Sequence, residues 1–130
     1  MDMKRIDKIA NFIQKKVDFV PDVLVILGSG LGSMADEVTD RIVLPYDEID
    51  DFLVSTVEGH EGQFVFGSYK GKKVVMMQGR FHYYEGYSMK EVTLPAYVMR
   101  KLGVKNMVVT NACGGVNTEF TPGDLMLIED

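Results

Sequence analysis

Cysteine and histidine are scarce in this sequence of 130 residues, which contains one cysteine, Cys113, and two histidines, His60 and His82. One cysteine excludes an intramolecular disulfide, and these three residues do not form the clustered pattern of a zinc site. We therefore expect no metal and a reducing, cytoplasmic location. Because no base lies near Cys113 in the sequence, its surroundings favour a small buried thiol over a nucleophile.

An excess of basic residues and a long apolar run are also missing. The chain has 14 lysines and arginines against 19 aspartates and glutamates, for a net charge of −5, whereas a nucleic-acid surface needs clustered positive charge. No apolar run approaches the roughly 18 residues of a membrane span, and the amphipathic N-terminal segment is unlike a signal peptide. We expect neither nucleic acid nor a membrane as a partner. A small anion remains compatible with the sequence, since one arginine about 4 Å away contributes roughly 4 kcal/mol at an effective dielectric of about 20.

The apolar residues that are present predict a mixture of helices and strands. Residues 3–17 carry apolar side chains at three- and four-residue spacing, which predicts a helix, and residues 23–27 form the wholly apolar run of a central strand. Residues 70–72 separate two further apolar runs and predict an antiparallel hairpin. The length suits one domain. We expect residues 1–130 to form a single portion with an α/β fold, in which helices flank a mixed, mostly parallel central sheet.

The later part of the chain predicts one more helix and one more strand. Residues 88–102 begin with the S-x-x-E pattern of Ser88 and Glu91 and are followed by Gly103, which can end a helix. Residues 104–110 predict another buried strand. The side chains expected to face inward from the helix are Val92, Pro95, Ala96, Met99 and Leu102.

A glycine-rich loop, GSGLGS at residues 28–33, follows the first predicted strand. It differs from the G-x-G-x-x-G loop of dinucleotide-binding domains, because Ser33 stands where the third glycine is needed, and it lacks the G-K-[ST] ending of a P-loop. Glycines nevertheless let backbone N–H groups approach an anion, and the hydroxyl of Ser29 can donate to a phosphate oxygen. Taken alone, the loop is compatible with a phosphate contact or with a tight strand-to-helix turn.

The segment QGRFHYYEGY at residues 78–87 concentrates cationic, aromatic and acidic side chains directly after an apolar run. Open α/β sheets usually bind ligands at the carboxyl ends of their strands. Arg80 offers a planar fork of donors, and His82 is a titratable donor that Glu85 can orient. Each residue also has an ordinary alternative, namely a surface ion pair for Arg80, a loop histidine for His82 and a packing aromatic for Tyr84. Their concentration in one short segment favours an anion site.

Three loops follow predicted apolar strands: the glycine loop at residues 28–33, the segment at residues 78–87 and a second glycine-bearing turn at residues 111–115. If those strands lie side by side and run in the same direction, their loops converge at one edge of the sheet. A guanidinium, an imidazole, a hydroxyl and backbone N–H groups together suit inorganic phosphate. The sequence therefore predicts a phosphate site formed by Ser29, Arg80, His82 and the backbone of Ala112.

Four motifs resemble, in order and spacing, those of the trimeric purine nucleoside phosphorylases: LGSGLG at 27–32, GHEG at 59–62, QGRFHYYEGY at 78–87 and TNACGGVN at 110–117. The resemblance extends over essentially the whole sequence, and the Arg80 motif separates it from the methylthioadenosine phosphorylases. It implies a nucleoside-phosphorylase-like fold and the reversible phosphorolysis of purine (2′-deoxy)ribonucleosides to free base and (deoxy)ribose 1-phosphate. It further implies phosphate as co-substrate, no other cofactor, no metal, and a homotrimer.

The resemblance also implies roles for individual residues. Phosphate would be held by Ser29, Arg80, His82 and the Ala112 N–H, ribose would contact Tyr84, Glu85 would support His82, and His60 would act near the phosphate or through water. Members of the family continue well beyond Asp130, where their base-binding residues lie. The base-binding residues and the purine preference are therefore unknown, and we expect a truncated fold with an exposed apolar edge. The alternatives are a truncated phosphate-binding or assembly module without catalytic activity, and a nucleotide-cofactor domain built on the glycine loop.

Overall fold

The computed structural model describes residues 1–54 and 61–129. Its strands are β1 Val23–Leu27, β2 Thr39–Pro45, β3 Gln63–Tyr69, β4 Lys72–Gln78 and β5 Asn106–Val109. They form one sheet in the order β2-β3-β4-β1-β5. The helices are α1 Met3–Lys16 and α2 Met89–Leu102, with short 3₁₀ helices at Gly32–Glu37, Tyr46–Glu48 and Tyr83–Glu85.

The strand directions confirm the predicted mixed, mostly parallel sheet. β1 pairs in parallel with β4 on one side and with β5 on the other, while β3 is antiparallel to both β2 and β4. Of the five strands in the described residues, four therefore run in the same direction. The carboxyl ends of β4, β1 and β5 consequently lie next to one another at one edge of the sheet.

The hairpin between β3 and β4 is confirmed and sets their register. Lys70 and Gly71 both have positive φ angles, of 48° and 80°, which is the pattern of a type I′ turn between two strands. Tyr69 pairs with Lys72 beside the turn, and Gln63 pairs with Gln78 at the far end. This register brings the chain to Arg80 just beyond the edge of the sheet.

Both α-helices begin at capping side chains. Asp2 accepts a hydrogen bond of 3.2 Å from the backbone N–H of Arg5 at the start of α1. Ser88 and Glu91 form a reciprocal capping box at the start of α2, and Gly103, with a φ of 106°, ends that helix. The S-x-x-E pattern and the glycine thus predicted the ends of α2 correctly.

The predicted inward face of α2 is partly wrong. Val92 and Ala96 are only half-buried, whereas two residues outside the prediction, Leu94 and Val98, are buried at 2% and 0% exposure. α2 carries apolar residues around most of its circumference, so their spacing does not select one face. The buried residues of the helix are Leu94, Pro95, Val98, Met99 and Leu102.

The larger part of the core lies on the face of the sheet that α1 and α2 cover. Phe64 and Phe66 of β3 and Val75 of β4 project into it beside the buried stripe of α1. On the opposite face, Val65 and Met76 pack against Ala35 of the 3₁₀ helix Gly32–Glu37. Neither α-helix in the described residues combines the length and apolar character that crossing a membrane requires.

β5 corrects a second prediction, since residues 104–110 were expected to form a buried strand. Val104 is buried at 5% exposure, but Met107, Val108 and Val109 are 54%, 49% and 52% exposed. The physical reason is that β5 pairs with β1 on one side only in the part of the chain that the structure describes. Residues 111–129 are exposed as well, so the expected exposed apolar edge is confirmed.

Candidate functional site

The loops after β1 and β4 form one cavity at the edge of the sheet where these parallel strands end. The cavity has a volume of about 390 Å³, and its lining includes Ser29, Arg80 and His82. Three of the four residues predicted to hold phosphate therefore lie around the same space. Two carboxylates, Asp36 and Glu61, also line it, and Asp36 lies 3.8 Å from the guanidinium of Arg41.

Arg80 lies between the β4 loop and the end of β5. Its Nη1 donates a 3.1 Å hydrogen bond to the carbonyl oxygen of Thr110, and its Nε donates to Nε2 of His82 over 3.3 Å. These contacts fix the side chain of Arg80, which lines the cavity. A guanidinium has five N–H donors, so donors beyond these two can bind an anion in the cavity.

His82 is oriented by Glu85. Its Nδ1 lies 3.0 Å from Oε2 of Glu85, and the same carboxylate oxygen accepts the backbone N–H of His82 at 2.6 Å. Because a neutral imidazole carries one N–H, the contacts fit a tautomer in which Nδ1–H donates to Glu85 and Nε2 accepts from Arg80. A doubly protonated ring would donate through both nitrogens, and Nε2 could then contact an anion.

Tyr84 stacks on the ring of His82. The two rings are 4.5 Å apart between centroids with an interplanar angle of 18°, and Tyr84 itself is 78% exposed. A second cavity of about 420 Å³ adjoins the first, and its lining includes Arg80, His82 and Tyr84. The arginine and histidine therefore separate two adjoining spaces, one beside the glycine loop and one beside Tyr84.

The glycine loop is held closely against the end of β5. The N–H of Gly28 donates to Oγ1 of Thr110 at 2.8 Å, and a Cβ on Gly28 would lie 2.7 Å from the Cα of Asn111. Gly28 is therefore required by the close approach of two backbones. Its carbonyl accepts from the N–H of Leu31 at 3.1 Å, so the loop is a tight turn and also lines the cavity.

Two supporting residues were not identified from the sequence. The first is Gln78, the buried last residue of β4, whose Nε2 donates to the carbonyl of Gly32 at 2.9 Å and whose Oε1 accepts from Gln63 at 2.8 Å. This amide pair connects the hairpin to the glycine loop. The available signal was a polar residue at the end of the apolar run Val74–Met77, since a polar side chain at a buried position needs hydrogen-bond partners.

The second supporting residue is Tyr46, which is 1% exposed. Its hydroxyl donates to the carbonyl of Gly79, and its ring contacts that of Phe81 at 5.0 Å between centroids. Burial raises the pKa of Tyr46 above its ordinary value, so the hydroxyl stays protonated as a donor. Tyr46 thus contacts the residue before Arg80 and the residue after it. Its hydrogen bond to Gly79 spans 33 positions, so no local sequence pattern shows it.

The remaining predicted residues are placed differently. His60 lies outside the described residues. Ala112 is exposed and, among the residues that the structure describes, is not part of the lining of the first cavity. The prediction of a buried Cys113 is wrong, because its thiol is exposed in a segment that packs against little of the described chain. The described residues contain no group of three or more metal-ligating side chains.

The nucleotide-cofactor alternative is not favoured by the geometry. In dinucleotide-binding folds the glycine loop leads directly into a long helix, whose N-terminus faces the pyrophosphate. Here β1 and the loop lead into a six-residue 3₁₀ helix, Gly32–Glu37. The loop therefore lacks the element that would bind a dinucleotide.

Comparison with known proteins gives consistent results. Residues 22–130 match the Phosphorylase superfamily. The chain is 55% identical over 130 residues to purine nucleoside phosphorylase 1 of Geobacillus stearothermophilus, covering 100% of this chain and 47% of that protein. A structure of purine nucleoside phosphorylase in complex with ribose-1-phosphate superposes with a TM-score of 0.88 at 50% identity, covering 95% of this chain and 45% of the other.

The Schistosoma mansoni purine nucleoside phosphorylase in complex with inosine also superposes with a TM-score of 0.88, at 47% identity, over 95% of this chain and 43% of that one. The chain thus spans just under half the length of the relatives that it matches. The resemblance found in the four sequence motifs is confirmed. The chain belongs to the phosphorylase superfamily.

Proposed function

We propose that this chain provides the phosphate-binding and ribose-facing part of a purine nucleoside phosphorylase, with residues 1–130 acting as a single N-terminal portion. The observation that supports it best is the placement of Ser29, Arg80 and His82 around one cavity at the carboxyl ends of parallel strands. A guanidinium, an imidazole and a hydroxyl in this arrangement are suited to a phosphate group. The relatives reported above carry the name of the same enzyme.

The reaction is the reversible phosphorolysis of purine (2′-deoxy)ribonucleosides. A phosphate oxygen forms a bond to C1′ as the bond from C1′ to the purine nitrogen breaks. The departing base gains a proton and the hydrogen phosphate loses one, so the reaction balances. The products are the free base and (deoxy)ribose 1-phosphate. Phosphate held beneath the sugar contributes by position and by stabilising positive charge that develops at C1′. Phosphate is a co-substrate, and the proposal requires neither another cofactor nor a metal.

Arg80 and His82 have the central roles in this proposal. Phosphate would bind N–H groups of Arg80 other than the one that donates to Thr110, and a protonated His82 would donate through Nε2 while Glu85 holds Nδ1. Ser29 would donate its hydroxyl from the glycine loop. The N–H of Ala112 would complete the phosphate site if residues beyond β5 fold back toward Arg80.

The adjoining cavity is the proposed place of the sugar. Tyr84 would contact ribose, since it lines the space on the other side of Arg80 and His82. His60 would act near the phosphate or through water. Purine nucleosides and phosphate are the proposed substrates, and a cytoplasmic homotrimer is the proposed state of the protein. The base-binding residues are not assigned to any part of this chain.

A second candidate is a phosphate-binding or assembly module without catalytic activity. It is favoured by the exposure of β5 and of Leu125 and Leu127, which are 101% and 94% exposed. Exposed apolar surface of this kind is typical of a surface that another segment or another chain covers. In this case the cavity would bind phosphate, but the chain alone would not release base from a nucleoside.

One pair of experiments tests the proposal and separates the candidates. Phosphate is titrated calorimetrically into the wild type, Arg80→Ala and the control Arg100→Ala, an exposed arginine near the end of α2. We expect Arg80→Ala to weaken phosphate binding by about 10- to 100-fold, since hydrogen bonds to charged groups contribute about 1.5–3 kcal/mol. The control should bind phosphate like the wild type.

Phosphorolysis of inosine is then measured with the 130-residue chain and with the full-length protein. Phosphate-dependent release of hypoxanthine supports the enzyme, whereas phosphate binding without release by either protein supports the non-catalytic module. Equal phosphate binding by the wild type and Arg80→Ala would contradict the proposed site in both candidates.

A further inference from the structure

Thr110, the residue directly after β5, contacts both halves of the candidate phosphate site. Its Oγ1 accepts the N–H of Gly28 and donates to the carbonyl of Ile26, each at 2.8 Å. Its own N–H also donates to Ile26 at 3.0 Å. The threonine side chain therefore continues the pairing of β1 with β5 past the last backbone pair, Ile26 with Val109.

The backbone of the same residue holds Arg80. The carbonyl of Thr110 accepts from Nη1 of Arg80 at 3.1 Å, so one residue contacts the glycine loop through its side chain and the guanidinium through its main chain. Gly28 provides an independent sign of this close fit, since a Cβ there would lie 2.7 Å from the Thr110 carbonyl oxygen. The separation between the two loops is thus set at Thr110.

We propose that Thr110 is a positioning residue for phosphate, whose hydroxyl fixes Ser29 relative to Arg80; this inference rests on the proposed function of the cavity. Ser29 follows Gly28 directly, so the direction in which its hydroxyl points depends on how the Gly28 peptide is held. A hydroxyl can accept from Gly28 and donate to Ile26 at once. Valine has the same branched shape but can do neither, and serine can do both.

The chain offers a matched control for this substitution. Thr39 begins β2, the strand at the opposite edge of the sheet, and its Oγ1 donates to the carbonyl of Ser68 at 3.2 Å. Like Thr110, it is a threonine whose hydroxyl donates to a backbone carbonyl of the neighbouring strand, but it lies at the far end of the strands from the cavity. Thr39→Val removes a comparable bond without touching the site.

The test compares Thr110→Val, Thr110→Ser and Thr39→Val with the wild type in the full-length protein. Thr110→Val is expected to raise the KM for phosphate about tenfold while the KM for inosine changes less than about twofold. The amide of Gly28 should exchange its hydrogen about tenfold faster, because its acceptor is gone. Thr110→Ser should restore both properties, and Thr39→Val should alter neither.

Two results would overturn the inference: a Gly28 amide as protected in Thr110→Val as in the wild type, or equal impairment of phosphate KM in the valine and serine variants. A different result would disprove the proposed function, namely a wild type that neither binds phosphate nor releases base. The Gly28 exchange rates would then still decide whether the Thr110 hydroxyl holds the loop. Thr110→Ser keeps the test decisive should the valine variant fail to fold.

Discussion

β4 and β5 flank the same central strand, β1, yet they differ sharply in burial. The residues of β4 from Val74 to Gln78 are at most 8% exposed, whereas Met107, Val108 and Val109 of β5 are 49–54% exposed. β4 lies between β3 and β1, while β5 pairs with β1 alone in the described part of the chain. Two apolar strands next to the same partner can therefore have very different surroundings.

The difference extends to the loops that follow these strands. After β4, Gly79 is held by Tyr46 and His82 by Glu85, so the arginine and histidine are supported by packing and by a buried carboxylate. After β5, Thr110 is bound to β1, but the residues beyond it are exposed. Arg80 and His82 are thus firmly supported, whereas the proposed contact of phosphate with the Ala112 N–H depends on folding beyond Thr110.

A matched pair of methionines tests the comparison most strongly. Met76 of β4 is fully buried, and Met107 of β5 is 54% exposed. Met76→Ala should lower the free energy of unfolding by about 2–5 kcal/mol through lost burial and a cavity, and Met107→Ala by about 0.5 kcal/mol or less. Urea unfolding followed by circular dichroism measures both, and similar losses would mean that β5 is covered in solution.

Gly28 tests whether the glycine loop needs its close approach to β5. Gly28→Ala places a Cβ 2.7 Å from the backbone of Asn111, whereas a Cβ at Gly32 meets nothing within 4 Å. We expect Gly28→Ala to destabilise the protein by about 1–3 kcal/mol, because backbone must move, and Gly32→Ala to have little effect. Thermal unfolding of the two variants compares them directly. If Gly28→Ala unfolded at the same temperature as the wild type, the glycine loop and the end of β5 would have to lie further apart than in this structure.

Tyr46 tests the support of the β4 loop. Tyr46→Phe keeps the aromatic packing but removes the hydrogen bond to Gly79, and it should cost about 1–2 kcal/mol because a partly buried carbonyl loses its partner. The variant should also bind phosphate more weakly than the wild type, since the peptide before Arg80 is no longer fixed. Urea unfolding and phosphate titration give the two values. Unchanged phosphate binding would limit Tyr46 to a role in packing.

The same tyrosine predicts a smaller effect of alkaline pH. Burial raises the pKa of Tyr46 in the folded state, whereas an unfolded tyrosine ionises near pH 10, at about its unperturbed pKa. The unfolded state therefore loses this proton first, and stability falls as the pH rises above about 10. Tyr46→Phe should show a shallower fall over this range in unfolding experiments. If the stability of the wild type and of Tyr46→Phe fell equally with rising pH, groups other than Tyr46 would cause the loss of stability.

Features encoded by neighbouring residues could be predicted from the sequence. Lys70 and Gly71 predicted the hairpin, Ser88 and Glu91 predicted the start of α2, and the strand-end position of Arg80 predicted its place beside a cavity at the edge of the sheet. Each depends on a few adjacent residues whose conformation or chemistry is restricted. This is why these elements, and the placement of Arg80 and His82 beside one cavity, could be predicted.

Features that depend on distant partners could not be predicted. The bonds of Tyr46 to Gly79 and of Gln78 to Gly32 join residues 33 and 46 positions apart. The exposure of β5 was missed because an apolar run shows that a strand can be buried and does not show what covers it. The exposure of Cys113 was missed for the same reason, since the residues around it do not show what covers them.

The most direct test of the central claim is a titration with inorganic phosphate followed by the backbone amide resonances of the protein. We predict saturable shifts at Ser29, Arg80 and His82 that share one dissociation constant, and a rise of that constant by about 10- to 100-fold in Arg80→Ala but not in Arg100→Ala. These results would place phosphate in the cavity between the loops after β1 and β4. Shifts confined to other residues, or shifts that persist unchanged in Arg80→Ala, would contradict the account.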